Sequence, residues 1–112
     1  MLERPLLRIA FVLLAAAPAS LAGETRPAPT GFAAISDADR LPTWSEPVRV
    51  QYQVFLATLS PRAFALSPDG VHWAWQSGND NAVTGALQRC NQRADEPCQL
   101  YAVDDDVVWP RR

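Results

Sequence analysis

At 112 residues, with 10 arginines, no lysine, 12 acidic residues and a net charge of −2, the chain has room for one domain. It lacks the cationic surface that displaces counterions from phosphate, which argues against nucleic acid as a partner. Arg49, Arg62, Arg89 and Arg93 are spread along the chain, and only Arg111 and Arg112 adjoin.

The first 22 residues read as an export signal. Arg4 and Arg8 form a cationic start, residues 9–17 are an apolar run, and Pro18 breaks that run before Ser20-Leu21-Ala22. The small residues predict cleavage between Ala22 and Gly23. The run is shorter than the roughly 20 apolar residues of a membrane span, and Glu24 stands where a lipoprotein would carry its cysteine. No membrane anchor is therefore expected after cleavage. An exported chain, periplasmic or secreted, meets an oxidising compartment, so Cys90 and Cys98 are expected to pair. The bridge would stabilise so small a domain by roughly 2 to 3 kcal/mol in the chain-entropy picture. Zinc would need two further ligands beyond the cysteines, and the chain has one histidine, His72, and no CxxC pair.

Residues 23–47, with Pro27, Pro29, Pro42 and Pro47, suit a flexible lead-in, with at most a turn of helix over 32–41 behind Ser36. The folded part is expected over 48–112. From 48 to 56, Val48, Val50, Tyr52, Val54 and Leu56 alternate with Arg49, Gln51 and Gln53, the two-residue period of a strand with one buried face. Ser60-Pro61 ends it, and 62–66 offers a second short strand with Phe64 and Leu66 on one side. Ser67-Pro68-Asp69-Gly70 has the chemistry of a turn, because proline presets the first central dihedral, aspartate suits the second and glycine tolerates the exit from the turn.

The return strand, 71–76, places Val71, Trp73 and Trp75 on one face and His72, Ala74 and Gln76 on the other. Asn79 and Asp80 can then cap a helix whose stripe is Ala82, Val83, Ala86, Leu87 and Cys90, dying near Ala94. Gly85 costs that helix about 1 kcal/mol against alanine and would admit a close contact with the sheet. Residues 98–103 form a further strand, Asp104 to Asp106 a turn or strand end, and 107–109 a last extended piece. This order predicts an α+β fold: a small, mostly antiparallel sheet of four or five strands with one helix packed on one face and a single disulfide. The tryptophan face is the expected partner of the alanine stripe.

Ser67-Pro68-Asp69-Gly70, the Trp73-Ala74-Trp75 strand, Ala86-Leu87-Gln88-Arg89-Cys90 and Cys98-Gln99-Leu100-Tyr101-Ala102-Val103-Asp104-Asp105, closing on Val107-Val108-Trp109, carry a resemblance. Residues 64–109 resemble a group of small exported bacterial proteins of unknown function. More distantly they are similar to a secreted domain of unknown function with an aromatic strand, an alanine-rich helix and paired cysteines. The resemblance implies no catalytic or binding residue. The single Ser67–Gly70 hairpin does not make a propeller, which repeats such a unit at least four times.

Asp104-Asp105-Asp106 is the best cluster for a hard cation, but the EF-hand spacing is missing and a solvated turn accounts for the same residues. No acid is placed beside His72 by the sequence, and no serine sits in a nucleophile elbow. Among the aromatic residues Trp44, Tyr52, Trp73, Trp75, Tyr101 and Trp109, alternation assigns Trp73 and Trp75 to the core. Trp44 and Trp109 flank the domain and are the candidate binding surface. The expectation is a non-catalytic periplasmic or secreted module without a cofactor. It would bind a protein or an envelope component through the first strand or the Trp44 and Trp109 region. The competing expectation is a small metal-dependent or hydrolytic enzyme using the Asp104–Asp106 turn and His72.

Overall fold

The computed structural model describes residues 24–111, so the leader and its cleavage point at Ala22 and Gly23 lie outside the described residues. Its first long element corrects the sequence reading: residues Glu46–Leu56 form a helix, α1, where alternation predicts a strand. Ser45 is its N-cap, with Oγ accepting from Val48 N–H, and Pro47 sits in the first turn where its missing donor is not needed. Val48, Tyr52 and Phe55, at helical spacings of four and three, are buried. Val50 and Val54 point to solvent and are 45% and 44% exposed.

Four antiparallel strands follow, β1 (Arg62–Leu66), β2 (Trp73–Ser77), β3 (Gln99–Val103) and β4 (Asp106–Val107), in the order β2-β1-β3-β4. A second helix, α2 (Ala82–Asn91), lies between β2 and β3 in sequence. The α+β class and the antiparallel sheet match expectation. The β1–β2 hairpin turns at Ser67–Gly70, where Gly70 N–H donates to Ser67 O at 2.9 Å. Gly70 has φ +75, and a Cβ there would lie 2.5 Å from Pro42 O, so no other residue fits without a shift.

Every residue of β1 is buried because both faces of the sheet are covered. Successive strand residues point to opposite faces. Phe64 and Leu66 join Tyr52, Phe55, Tyr101 and Trp109 under α1, while Ala63 and Ala65 join Ala74, Ala82, Ala86 and Cys90 under α2. The expected docking of the alanine stripe on the tryptophans is thus corrected: Trp73 and Trp75 pack on the α1 side. Size matching explains the choice. Alanine on alanine lets α2 approach so closely that a Cβ on Gly85 would meet the Gln76 side chain at 2.2 Å. The large rings instead fill the wider gap under α1.

Rings hold α1 down. Tyr52 meets Phe64 at 5.2 Å and Tyr101 at 5.3 Å edge-on, and Phe55 meets Phe64 at 5.5 Å. Each such pair adds about 0.5 to 1.5 kcal/mol beyond area burial, more than the propensity differences within the helix. The Tyr52 hydroxyl donates to Ile35 O at 2.6 Å, whereas the buried Tyr101 hydroxyl has no partner among the described residues. Tyr52→Phe is therefore expected to cost about 1 kcal/mol, and Tyr101→Phe to be neutral or to raise Tm, measured by thermal unfolding. Burial also pushes both phenols up, Tyr101 to about 12. These are the chain's only 2 tyrosines. Because the folded values are raised, the stabilisation they carry is complete below pH 10 and is lost as the pH rises toward 12. An absorbance titration of the native protein is expected to show no phenolate step near pH 10.

Residues 24–47, expected as a loose lead-in, are drawn onto this fold, so the packed unit begins well before residue 48. Leu41 is buried, and Phe32, Ala33, Ile35 and Ala38 pack beside it. Thr30 N–H donates to Val107 O, and its hydroxyl to Trp109 O at 2.6 Å. The expected helical turn is a short 3-10 segment, Ala38–Arg40. Glu24 accepts from Val83 N–H and Thr84 N–H, two of the donors left open at the start of α2. Desolvation raises its pKa, but the bonds from Thr84 and Val83 outweigh this and hold it below the usual value.

Cys90 and Cys98 are bridged, with Cα atoms 6.1 Å apart, tying the end of α2 to the start of β3.

Candidate functional site

The acidic turn and His72 are not brought together. Asp104 lies beside Arg62 at the start of β1, and accepts from Arg62 N–H through Oδ1 at 3.1 Å. His72 pairs with Ser67 just past the other end of β1, so the five residues of β1 keep the two groups roughly 16 Å apart at about 3.3 Å per residue. Asp104 is further occupied by an ion pair with Arg26, and Asp105 by one with Arg62 at 3.2 Å. Asp104, at φ 54, turns the chain into β4. Among the described residues no group of three or more His, Cys, Asp or Glu side chains is placed to hold a metal.

The serine nearest His72 is spent on the turn. Ser67 Oγ donates to Asp69 Oδ1 at 2.5 Å and accepts from His72 N–H at 2.9 Å. Asp69 is held below the usual carboxylate range by that hydroxyl and then by Val71 N–H. What looks like a serine, histidine and aspartate grouping is a turn fastened by its own side chains.

The candidate aromatic surface divides. Trp44, just ahead of the α1 cap, is 81% exposed. Trp109 is only 7% exposed: it packs near Tyr101, with ring centroids 6.1 Å apart, under the covering of residues 30–35. Its removal from the binding surface is a correction, and so is the loss of the first strand, which is α1. Tyr52 and Tyr101 are buried outright.

A third region emerges at the sheet edge. In an antiparallel ladder, bonded and non-bonded residue pairs alternate. Ser67 N–H donates to His72 O at 2.8 Å and Gly78 N–H to Pro61 O at 2.7 Å. Between these anchors Ala65–Ala74 and Ala63–Gln76 are the bonded pairs. Trp73, Trp75 and Ser77 consequently turn their N–H and C=O groups away from β1, toward the open side of the sheet, where β2 has no neighbouring strand among the described residues.

A groove of about 490 Å³ runs along this edge. Gln51 of α1 and the half-buried rings of Trp73 and Trp75 form one wall, with Trp75 Nε1 donating to Gln51 Oε1 at 3.3 Å. Gln76, Arg89 and Arg93 form the other. Gln76 is fixed by bonds to Asn79 and Asn81. Arg93 lies over the Trp73 ring at 5.3 Å and donates to Trp73 O at 3.0 Å. Among the described residues, Arg89 and Arg93 enter no ion pair, and no acidic side chain lines the groove.

Along the chain, these two arginines belong to a scatter. The four-residue interval is the signal that joins them: Arg89 is in α2, and Arg93 follows the C-cap in a turn that keeps the helical bond of Ala94 N–H to Cys90 O, so the two share a side.

No family model, no curated protein and no solved structure matches the chain.

Proposed function

We propose that this is an exported, non-catalytic binding module that takes a partner protein or envelope component along the open edge of β2. The observation that carries this reading is the uncovered edge itself. Of its five residues Trp73, Trp75 and Ser77 turn their main-chain groups outward, and those of Trp75 and Ser77 have no partner among the described residues, beside a groove walled by two tryptophans and two arginines. Exposed edges are templates for pairing with another chain, and proteins that do not use them shorten, bury or twist them away. Here the opposite edge strand, β4, has only two residues, while β2 is left long and open. Export is supported by the leader-like first 22 residues and by the bridged cysteines. Among the described residues no helix is long and apolar enough to cross a membrane.

Site-specific photocrosslinking tests the reading. A benzophenone side chain replaces Ser77 on the edge or Val54 on the exposed face of α1, and cells exporting the protein are irradiated. An adduct at 77 with 54 silent is the expected result. Adducts at neither position, with the protein present at its normal level, would overturn the module reading, and adducts at 54 alone would move the contact surface to α1.

A further inference from the structure

We infer that the occupant of the β2 edge is an extended segment bearing carboxylates on alternate residues, paired to the β2 main chain and clamped by Arg89 and Arg93. The inference rests on the binding-module reading and supplies its chemistry. An extended backbone is required because the outward N–H and C=O groups of Trp75 and Ser77 alternate as a strand's do, and only a strand matches them in series. Pairing to the main chain supplies affinity, and the two walls read the side chains.

The walls differ in chemistry, so a segment lying between them must alternate. Residues facing α2 meet two guanidinium groups with no countercharge among the described residues. The chain as a whole carries a net charge of −2, so this cationic spot stands out against its own surroundings. Guanidinium forks bind carboxylates with two parallel hydrogen bonds. Arg93 uses one donor on Trp73 O, leaving four of its five free for a ligand. Residues facing the other way meet Trp73, Trp75 and Gln51, a ledge suited to valine or isoleucine.

Spacing agrees with this pattern. Arg89 is in α2 and Arg93 in the turn that continues it, where Ala94 N–H still donates to Cys90 O four residues back. Four such residues advance by about 6 Å, and alternate residues of a strand by about 6.8 Å, so two acids separated by one residue can each reach one arginine. The α2 dipole favours a cation in the last turn, which accounts for Arg89, and Arg93 follows just past the C-cap Gln92. It does not require both to stand over the groove. A second copy of this chain is a poor occupant, because edge-to-edge pairing would bring its own Arg89 and Arg93 against these two.

The test uses the exported, disulfide-bonded protein and three fluorescein-labelled peptides: alternating glutamate and valine over seven residues, the same peptide with lysine for glutamate, and the acidic peptide N-methylated at alternate residues. Fluorescence anisotropy gives affinity, and amide chemical shifts locate binding. The acidic peptide is expected to bind at least tenfold tighter than the lysine peptide, to weaken severalfold between 50 and 300 mM salt as screening grows, and to shift the Trp75 and Ser77 amides. N-methylation removes the pairing donors and should abolish binding. Arg89→Glu with Arg93→Glu is expected to cost at least tenfold in affinity while the protein stays folded, with a small loss of Tm from the Arg93 contacts to Trp73, and the milder Arg89→Gln with Arg93→Gln serves if the first variant misfolds.

Equal binding of the lysine peptide, indifference to the charge reversal, or undiminished binding of the N-methylated peptide would each overturn the inference. So would no binding by any peptide. In that last case an adduct at position 77 in cells leaves the module reading standing with a different occupant, while its absence removes both.

Discussion

Arg62→Ala is expected to destabilise the protein by about 3 to 5 kcal/mol, the cost of breaking up a buried, fully hydrogen-bonded charge, and to lower Tm by roughly 15 °C or more. Arg62 opens β1 and is only 7% exposed. Its Nη1 donates to Phe55 O, Leu56 O and Thr58 O at 3.0, 3.0 and 2.9 Å, and its Nε donates to Asp104 O at 3.0 Å. The guanidinium lies over the Phe55 ring at 4.8 Å. The last carbonyls of a helix have no partner within it, so this one side chain terminates α1, fastens it to the sheet and anchors the turn into β4.

The ion pair with Asp105 is a minor part of that effect. Asp105 is 84% exposed on its side chain, and an exposed carboxylate facing water contributes about 0 to 1 kcal/mol. Asp105→Asn is therefore expected to change stability by less than about 0.5 kcal/mol. Arg62→Lys should keep the charge yet lose most of the stability, since a single ammonium cannot span three carbonyls and Asp104 O together. Urea unfolding at pH 7 measures all three variants. A loss for Asp105→Asn as large as that for Arg62→Ala would assign the effect to the ion pair and overturn this account.

Local chemistry in the second half of the chain is legible from the sequence, and features settled by distant contacts are not. Strand β1, the Ser67–Gly70 turn, the stripe Ala82, Ala86 and Cys90 of α2, strand β3 and the cysteine pairing all come from short-range patterns. Trp109 reads as free because it flanks the domain expected from the sequence. Its burial depends on residues 30–35 returning to cover it, a contact between segments 79 residues apart at Thr30. The docking of α2 departs from expectation for a related reason. A single helix would have to cover the tryptophans, but a second helix on the opposite face takes them and leaves the alanine ledge for α2. The β2 edge groove is equally hidden in the sequence, because its two arginines meet the tryptophans only once α2 lies beside β2.

Helix α1, which alternation disguises as a strand, supplies the second large prediction. Residues 48–56 fit two templates: valine, valine, tyrosine, valine and leucine at every second position, and Val48, Tyr52 and Phe55 at helical spacing. Phe55 separates them. On a strand it would share the polar face with Gln51 and Gln53, whereas on a helix it closes the buried stripe. The start signals, Ser45 as cap with Pro47 in the first turn, also favour the helix. Phe55→Ala is accordingly expected to cost about 3 to 5 kcal/mol through lost burial and the cavity left among Tyr52, Phe64 and Trp75. Val54→Ala should cost nothing, and gain up to about 0.5 kcal/mol, because alanine is the better helix former at an exposed position. The strand template demands the reverse ranking, with Val54 in the core and Phe55 in water. Urea unfolding of the two variants therefore reads the face of α1 directly: a large loss for Val54→Ala beside a small one for Phe55→Ala would remove α1 from the sheet face where it is placed. Phe55 also lies beneath Arg62, so its truncation and Arg62→Ala are expected to be less than additive when combined, each having already loosened the same end of the helix.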